Sequence, residues 1–370
     1  MTNRREFMRN MGVLIGGLAL SSLNGMAENL CRLSLTAEEK KIWMDILEYA
    51  RWSPSPHNLQ PWKMKIISAT EVEVYYDPKR LLPEEDPDTR FLIIGMAIFL
   101  EYMSVAAAHH QLQITTEYKK EKLNAKANGP QFFARVRLSE SKEIAEWDRE
   151  LILQRRTSRL PYNDEPVADD IMNKLTTITK EHGHRMGYSH DQEMADWTIA
   201  INEYTVFSDL GKDNIRKEIK SWLRYDKSEA ESKKDGLWSK CMRFPGWFMR
   251  SFFEEHEKYS TGKRRERLGK HYRKKMRGSR TIAWLSGPFE TFDDWVNCGT
   301  YLAKIWLEMT RNDIYMHPFG SVITNEGAHA QLVEKLQFDE SENKLWLLFR
   351  LGNSKEPPRS CRLDLNDLLI

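Results

Sequence analysis

Residues able to do chemistry gather in two stretches. Arg155, Arg156 and Arg159 fall within five positions, with Thr157 among them. A planar guanidinium bonds two phosphate oxygens at once, and a hydroxyl adds a further hydrogen bond. The same spacing suits solvated charge at a helix terminus, and spacing alone leaves both readings open. Far upstream lies the loop Arg51-Trp52-Ser53-Pro54-Ser55-Pro56-His57-Asn58-Leu59-Gln60-Pro61-Trp62. Pro54 and Pro56 stiffen it. Ser55, Asn58 and Gln60 carry groups that can hydrogen-bond the carbonyls and nitrogens of a flat heterocycle. Trp62 reads as the first core residue of the next strand. His57 is either a ligand neighbour or an exposed loop histidine.

Other chemistries find no convincing pattern. No Ser-His-Asp set, His-Glu-x-x-His motif, phosphate-binding loop or Gly-x-Gly-x-x-Gly motif can be placed. The close histidine pairs, His109-His110 and His182-Gly183-His184, lack carboxylates on a shared face, so no metal site is expected. Cys31, Cys241, Cys298 and Cys361 form no Cys-x-x-Cys motif and select no pairing, so free, mostly buried thiols are expected.

The elements that must position these residues follow from periodicity. Ile42, Ile46, Leu47 and Ala50 share one face of a helix opened by Thr36 and Glu39 as a capping box. Trp62–Ile66 and Val72–Tyr76 alternate as strands. Residues 89–108 are apolar enough to raise a membrane reading, but Glu101 and polar flanks make this a core helix. Arg135–Leu138 reads as a strand. Helices are expected near 147–154, 169–182, 193–222, 293–310 and 328–336, and a closing strand over 345–350. Gly95 and Gly299 each open an apolar helix, which suggests a helix–strand unit used twice.

Net charge is only +2, so bulk charge points to no polyanion and no nucleic-acid partner is expected. Residues 258–280 nevertheless hold eleven Lys/Arg against Glu266 alone, and read as a solvated helix face. Residues 223–280 break the helical pattern and read as an insertion. Its aromatics, Trp238, Phe244, Trp247, Phe248, Phe252 and Phe253, are too many for a free loop, and a lid over the ligand is expected. At the N-terminus a basic head, an apolar run over 11–20 too short to span a bilayer, and small residues near Ala27 describe a signal peptide cleaved after Ala27. Roughly 340 residues remain, more than the usual ~250–300 of a single core, so fused halves are expected at about 38–148 and 149–370.

Both chemistry-bearing stretches resemble flavin-binding segments of the nitroreductase family: the loop runs along one edge of the flavin ring, and the arginine segment receives the FMN tail. In that family the basic segment usually comes first. The reversed order here suggests a duplicated chain building one composite site, as in the exported Acg-like branch. His317-Pro318-Phe319-Gly320-Ser321, Arg350-Leu351-Gly352 and Pro357–Arg362 also match family stretches.

The resemblance implies an α+β fold of two fused halves, with antiparallel sheets flanked by helices, forming a pseudo-dimer. It implies one FMN per chain, held by Pro54, Ser55, Pro56, Asn58, Gln60, Arg155, Arg156, Thr157, Arg159, Pro318, Ser321 and Arg362. No side chain is singled out as an acid or base. The implied partners are a small electron donor and a flat acceptor, and the chain is expected as a monomeric pseudo-dimer or a further homodimer. Arg4-Arg5-Glu6-Phe7-Met8-Arg9 resembles a twin-arginine signal, which implies the twin-arginine export machinery and the periplasm. Flavin binding without turnover is the second reading.

Overall fold

The computed structural model describes residues 36–370. The signal over residues 1–27, Cys31 and the Glu39 side chain of the expected capping box lie outside the described residues.

The helix Ala37–Ala50 buries Trp43, Ile46, Leu47 and Ala50 on one face, and the prolines at 54 and 56 keep the chain from continuing it. β1 (Trp62–Ser68) and β2 (Glu71–Tyr76) form a hairpin, the core helix Arg90–Ala108 follows, and β3 (Leu112–Tyr118) and β4 (Gln131–Glu140) complete an antiparallel sheet of order β1-β2-β4-β3. The alternating burial of β2, with Val72, Val74 and Tyr76 inward, sets its register.

The second half repeats this plan. The helix Asp169–Glu181 leads to β5 (Arg185–Ser189), then come β8 (Thr281–Gly287), the helix Phe292–Arg311, β9 (Tyr315–Pro318) and β10 (Lys344–Gly352), in the order β5-β8-β10-β9, again antiparallel. Both halves therefore run helix–strand–strand–helix–strand–strand with the same strand order. Strand β10 is buried on both faces along almost its whole length, which explains its unbroken apolar sequence.

The two long helices cross at the centre and join the halves. At Gly299 an added Cβ would lie 2.5 Å from both the Ile94 carbonyl oxygen and the Ala97 methyl, so only glycine admits this approach. The helix Arg90–Ala108 is long and apolar enough to cross a membrane, yet 78% of it is buried inside the protein, as the core reading expected. One continuous core draws Trp43, Trp62 and Phe99 from the first half and Trp295, Trp306 and Trp346 from the second. Trp62 stacks on Phe99 at 4.7 Å between ring centroids, which makes it a core residue.

Residues 190–280 sit between β5 and β8, so the interruption begins earlier than expected. They contain the helices Gln192–Asp209, Asp213–Ser221, Gly246–Glu254 and Gly262–Lys275 and the short parallel pair β6 (Leu223–Arg224) and β7 (Leu237–Trp238). Most of their aromatics pack on one another instead of forming the expected lid. Phe244, Phe248, Phe252 and Phe253 pack with Phe207, Leu210 and Leu268 in a small core of their own, while Trp247 is 74% exposed. The basic helix Gly262–Lys275 sends Arg265 and Arg273 to the buried Glu203 and Lys275 to the Arg243 carbonyl and the Phe244 ring, and leaves Lys263, Arg264, Arg267, Lys270 and Lys274 exposed.

Candidate active site

A cavity of about 110 Å³ lies where the two halves and residues 236–242 meet. The first half supplies Trp52, Pro54, Ser55, His57 and Asn58; the second supplies Arg155, Arg156, Thr157 and Arg159 and, from its tail, Arg359, Ser360 and Arg362. The reversed segments thus face each other across one cavity.

The arginine segment is held from behind. Thr157 bridges to Met316, and the Ser158 amide donates to the Met316 carbonyl at 3.1 Å. Beneath it, the fully buried Arg350 donates to the carbonyls of Ser158 (3.3 Å) and Leu160 (2.8 Å) and lies 4.1 Å from the Tyr162 ring centroid. These contacts use the chain's own carbonyls and leave Arg155 and Arg159 free to face the cavity.

The charge at this place is unbalanced. Arg155 is buried, its Nη2 donates to the Trp52 carbonyl at 3.3 Å, and its Nε and Nη1 have no partner among the described residues. Arg159 has no hydrogen bond or ion pair among the described residues. Arg362 donates to the carbonyls of Cys361 (3.0 Å) and Ser53 (3.3 Å), with Nε unpartnered. Arg359 lies 3.1 Å over the Trp52 ring, with Nε and Nη2 unpartnered. Glu356, 3.5 Å from Arg156, is the one acid paired with any of these five arginines among the described residues. Burial, reinforced by Arg155 and Arg359, pushes Arg362 down to about 9; burial, reinforced by Arg156, Arg155 and Arg51, pushes Arg359 down to about 10. Buried, mutually repelling cations with unspent donors are complementary to an anion.

Arg156 is partly diverted, since its Nη1 donates to the carbonyls of Leu153 (2.6 Å) and Gln154 (2.9 Å) at the end of the helix Glu150–Gln154. It is a helix-end cation as well as a cavity residue.

The loop wall is strained. His57, Asn58 and Gln60 all have positive φ, at 48°, 58° and 53°, an uncommon conformation outside glycine that asparagine and histidine adopt more readily than glutamine. The turn aims the side chains of Asn58 and His57 at the cavity. Asn58 Oδ1 and His57 Nδ1 are buried without partners. The loop is tied to the insertion: Gln60 Nε2 donates to the Lys234 carbonyl at 2.9 Å, and the Gly236 amide donates to the Asn58 carbonyl at 3.2 Å. Gly236, at φ +75°, lies so near the Trp222 carbonyl that an added Cβ would be 2.3 Å from it. Of the insertion's aromatics, Trp238 lines the cavity, beside Cys241 and Met242. Cys241, Cys298 and Cys361 are free thiols; only Cys298 is buried, the other two being partly exposed.

Four expected ligand residues do not line the cavity. Pro318 ends β9 opposite Phe349, and Ser321 lies in the helix Gly320–Thr324 beyond it; their segment backs the arginines and does not reach past them. Pro56 packs its ring toward Gly95 of the central helix. Gln60 is fully buried and its amide is already used, donating to Lys234 and accepting from the Leu363 amide at 2.9 Å. Sequence reasoning missed Trp52, Cys241, Met242, Arg359 and Ser360; of the aromatics expected over the ligand, Trp238 is the one in the lining. The tail stretch 357–362 held a usable signal, since Arg359 stands three positions before Arg362.

No family model matches the chain. In sequence, it is 31% identical over 137 residues to an uncharacterized protein of Mycobacterium tuberculosis, and 31% identical over 133 residues to that organism's protein acg, named as an NAD(P)H nitroreductase. These matches cover 33% and 35% of this chain, and the chain spans only 38% of the length of each relative. A longer match, 21% identical over 304 residues, covers 79% of the chain and 83% of PigM of Serratia, also named as an NAD(P)H nitroreductase. Among solved structures, an FMN- and NADPH-dependent nitroreductase NfnB overlaps 59% of this chain and 95% of its own, at 14% identity and a TM-score of 0.36. NfnB of Mycobacterium smegmatis in complex with NADPH overlaps 59% and 94%, at 14% identity and a TM-score of 0.35. The chain is thus similar in sequence to proteins named as nitroreductases, and its α+β architecture of two fused halves is the one that resemblance implied.

Proposed function

We propose that the cavity binds FMN and that the chain is a nitroreductase-like oxidoreductase for a small, flat acceptor. The observation that carries this is the cluster of arginines around one cavity with unspent donors and almost no acid among them. A phosphate monoester is dianionic and rich in acceptors, and so supplies what Arg155, Arg159, Arg359 and Arg362 lack. Asn58 and Ser55, on the opposite wall, are placed for the polar edge of the ring, and Thr157 for the tail. The residues present therefore fit the group. FMN, when bound, supplies the electron-transfer chemistry; the protein supplies position, charge and exclusion of water.

The cavity is smaller than the ~300–1,000 Å³ typical of small-molecule sites, so residues 234–242 must move outward to admit a ligand. Their few hydrogen bonds to Asn58 and Gln60 make them the lid in this proposal, in place of the Phe-rich helix. The narrowness also favours a second reading, in which the chain holds FMN and hinders access of donors. The relatives named for NAD(P)H support a reduced nicotinamide as donor, and the twin-arginine resemblance supports action in the periplasm.

The test is direct. Purified protein should be yellow with about one FMN per chain, and should be bleached by NADPH under anaerobic conditions. Bound FMN that neither NADPH nor a non-nicotinamide donor reduces would select the second reading. No FMN after reconstitution would overturn both. For export, fractionation of cells carrying Arg4→Lys with Arg5→Lys should find the precursor in the cytoplasm.

A further inference from the structure

The cavity wall carries a pair that the flavin reading leaves unused. His57 Nε2 lies 3.3 Å from Glu85 Oε2, with side chains 22% and 24% exposed. The other ring nitrogen, Nδ1, is buried and unpartnered, and His57 lines the cavity. Glu85 Oε2 makes no hydrogen bond among the described residues, so the pair is in contact without being aligned, as catalytic pairs often are before substrate binds. Its neighbour Glu84 is exposed, which places water one residue from the acid. The imidazole therefore stands between a carboxyl group near solvent and the cavity. Its left-handed backbone, at φ 48°, directs it there.

We propose that Glu85 and His57 form a proton relay into the cavity, serving the reduction proposed above. The Glu85 O–H bond breaks and its proton moves to His57 Nε2, while the Nδ1–H bond breaks and that proton passes to the acceptor anion in the cavity. Histidine ends neutral in its other tautomer, Glu85 ends as a carboxylate, and water returns a proton to it. No imidazolium is formed, and the acceptor gains the unit of positive charge that Glu85 loses.

The electrostatics suit this route. Burial, reinforced by Arg159 and opposed by Glu218, pulls His57 down to about 4, so an imidazolium is disfavoured. Burial, reinforced by Asp209, pushes Glu85 up to about 8, so the acid form is available at neutral pH. Glu218 also accepts the backbone amides of Glu84 (3.1 Å) and Glu85 (3.0 Å), fixing the acid's position. An acid near the working pH is the effective kind for proton transfer.

The test uses the purified flavoprotein labelled with ¹⁵N-histidine, its His57 signals identified by their loss in His57→Gln. Between pH 6 and 9.5, His57 should pass from the Nδ1–H to the Nε2–H tautomer with a midpoint near 8, as Glu85 ionises. Glu85→Gln should abolish that transition while keeping flavin content unchanged. Acceptor reduction should fall roughly 30-fold across the same range in the parent, as the acid fraction drops through a pKa of about 8, and be slow and flat in the variant. A tautomer that does not change with pH, or one that changes equally in Glu85→Gln, overturns the relay. Flavin absorbance reports separately on the FMN reading, so failure of one is distinguishable from failure of the other.

Discussion

The two halves share one topology but differ at the link between opening helix and first strand. In the first half, residues 51–61 fill that link and become a wall of the cavity; in the second, residues 182–184 make a bare turn into β5. The second half instead supplies the arginines and carries the long interruption between β5 and β8. The two halves thus share a frame that serves packing, while the loop that could build a ligand wall is present in one. Packing against the central helices constrains both halves equally; a cavity needs only one loop and one cationic segment.

The sharpest way to break this division of labour is to remove the charge contributed by the second half. Replacing both Arg155 and Arg362 by Met should weaken FMN binding by roughly 10–100-fold for each lost contact, at about 1.5–3 kcal/mol apiece, measured by flavin fluorescence. The ligand-free double variant should melt at a higher temperature than the parent, because two buried, mutually repelling cations are gone. Lowered affinity with lowered apo stability would mean that the arginines mainly support the fold.

A substitution at the junction tests whether the halves stand or fall together. Gly299→Val should destabilise by about 1–3 kcal/mol or more in urea melts, since its Cβ meets the Ile94 backbone. Gly320→Ala, whose added Cβ would meet nothing within 4 Å, should be close to neutral. Equal effects would argue against the tight crossing.

Stability against pH sharpens the contrast on the loop side. Glu85 has a folded pKa, about 8, above its ordinary 4.5, so its contribution is fully present below 4.5 and is lost as pH rises through 8. Glu85→Gln should therefore gain on the parent between those values, by at most about 1.4 kcal/mol per pH unit, and level off above 8. His57, pulled down to about 4, acts oppositely: its stability is lost as pH falls through 6.5 toward 4 in both proteins. Urea midpoints across pH 5–9 would show a flat difference if Glu85 titrates normally. The smallest effect belongs to the exposed Trp247, where Trp247→Ser should stay within about 0.5 kcal/mol in the same melts.

Sequence revealed the parts whose physics is local. The prolines ended the first helix, β2 alternated cleanly, and the apolar run at 293–310 marked the second central helix. The facing wall segments were legible because ring-edge amides and clustered arginines have few other uses in combination. Strands β3, β5, β8 and β9 were not read. In β8 nearly every residue is buried, so Thr281–Gly287 shows no alternation, and β9 is only Tyr315–Pro318. Pro318 and Ser321 were misplaced because one strand separates backing the arginines from touching the cavity. The Phe-rich helix was misjudged because a sequence shows that aromatics must be buried but not against which partners, and Phe207 and Leu268 were far away in the chain.

The tail of the second half also reaches back: Arg359 and Arg362 complete the cavity, and the Ile370 amide donates to the Met64 carbonyl at 2.9 Å on the edge of the first sheet. The cavity's opening wall is synthesised early and its last cations more than three hundred residues later. A nascent chain therefore cannot close the arginine-lined cavity until residues 359–362 have left the ribosome, so its walls are joined long after the first of them is made.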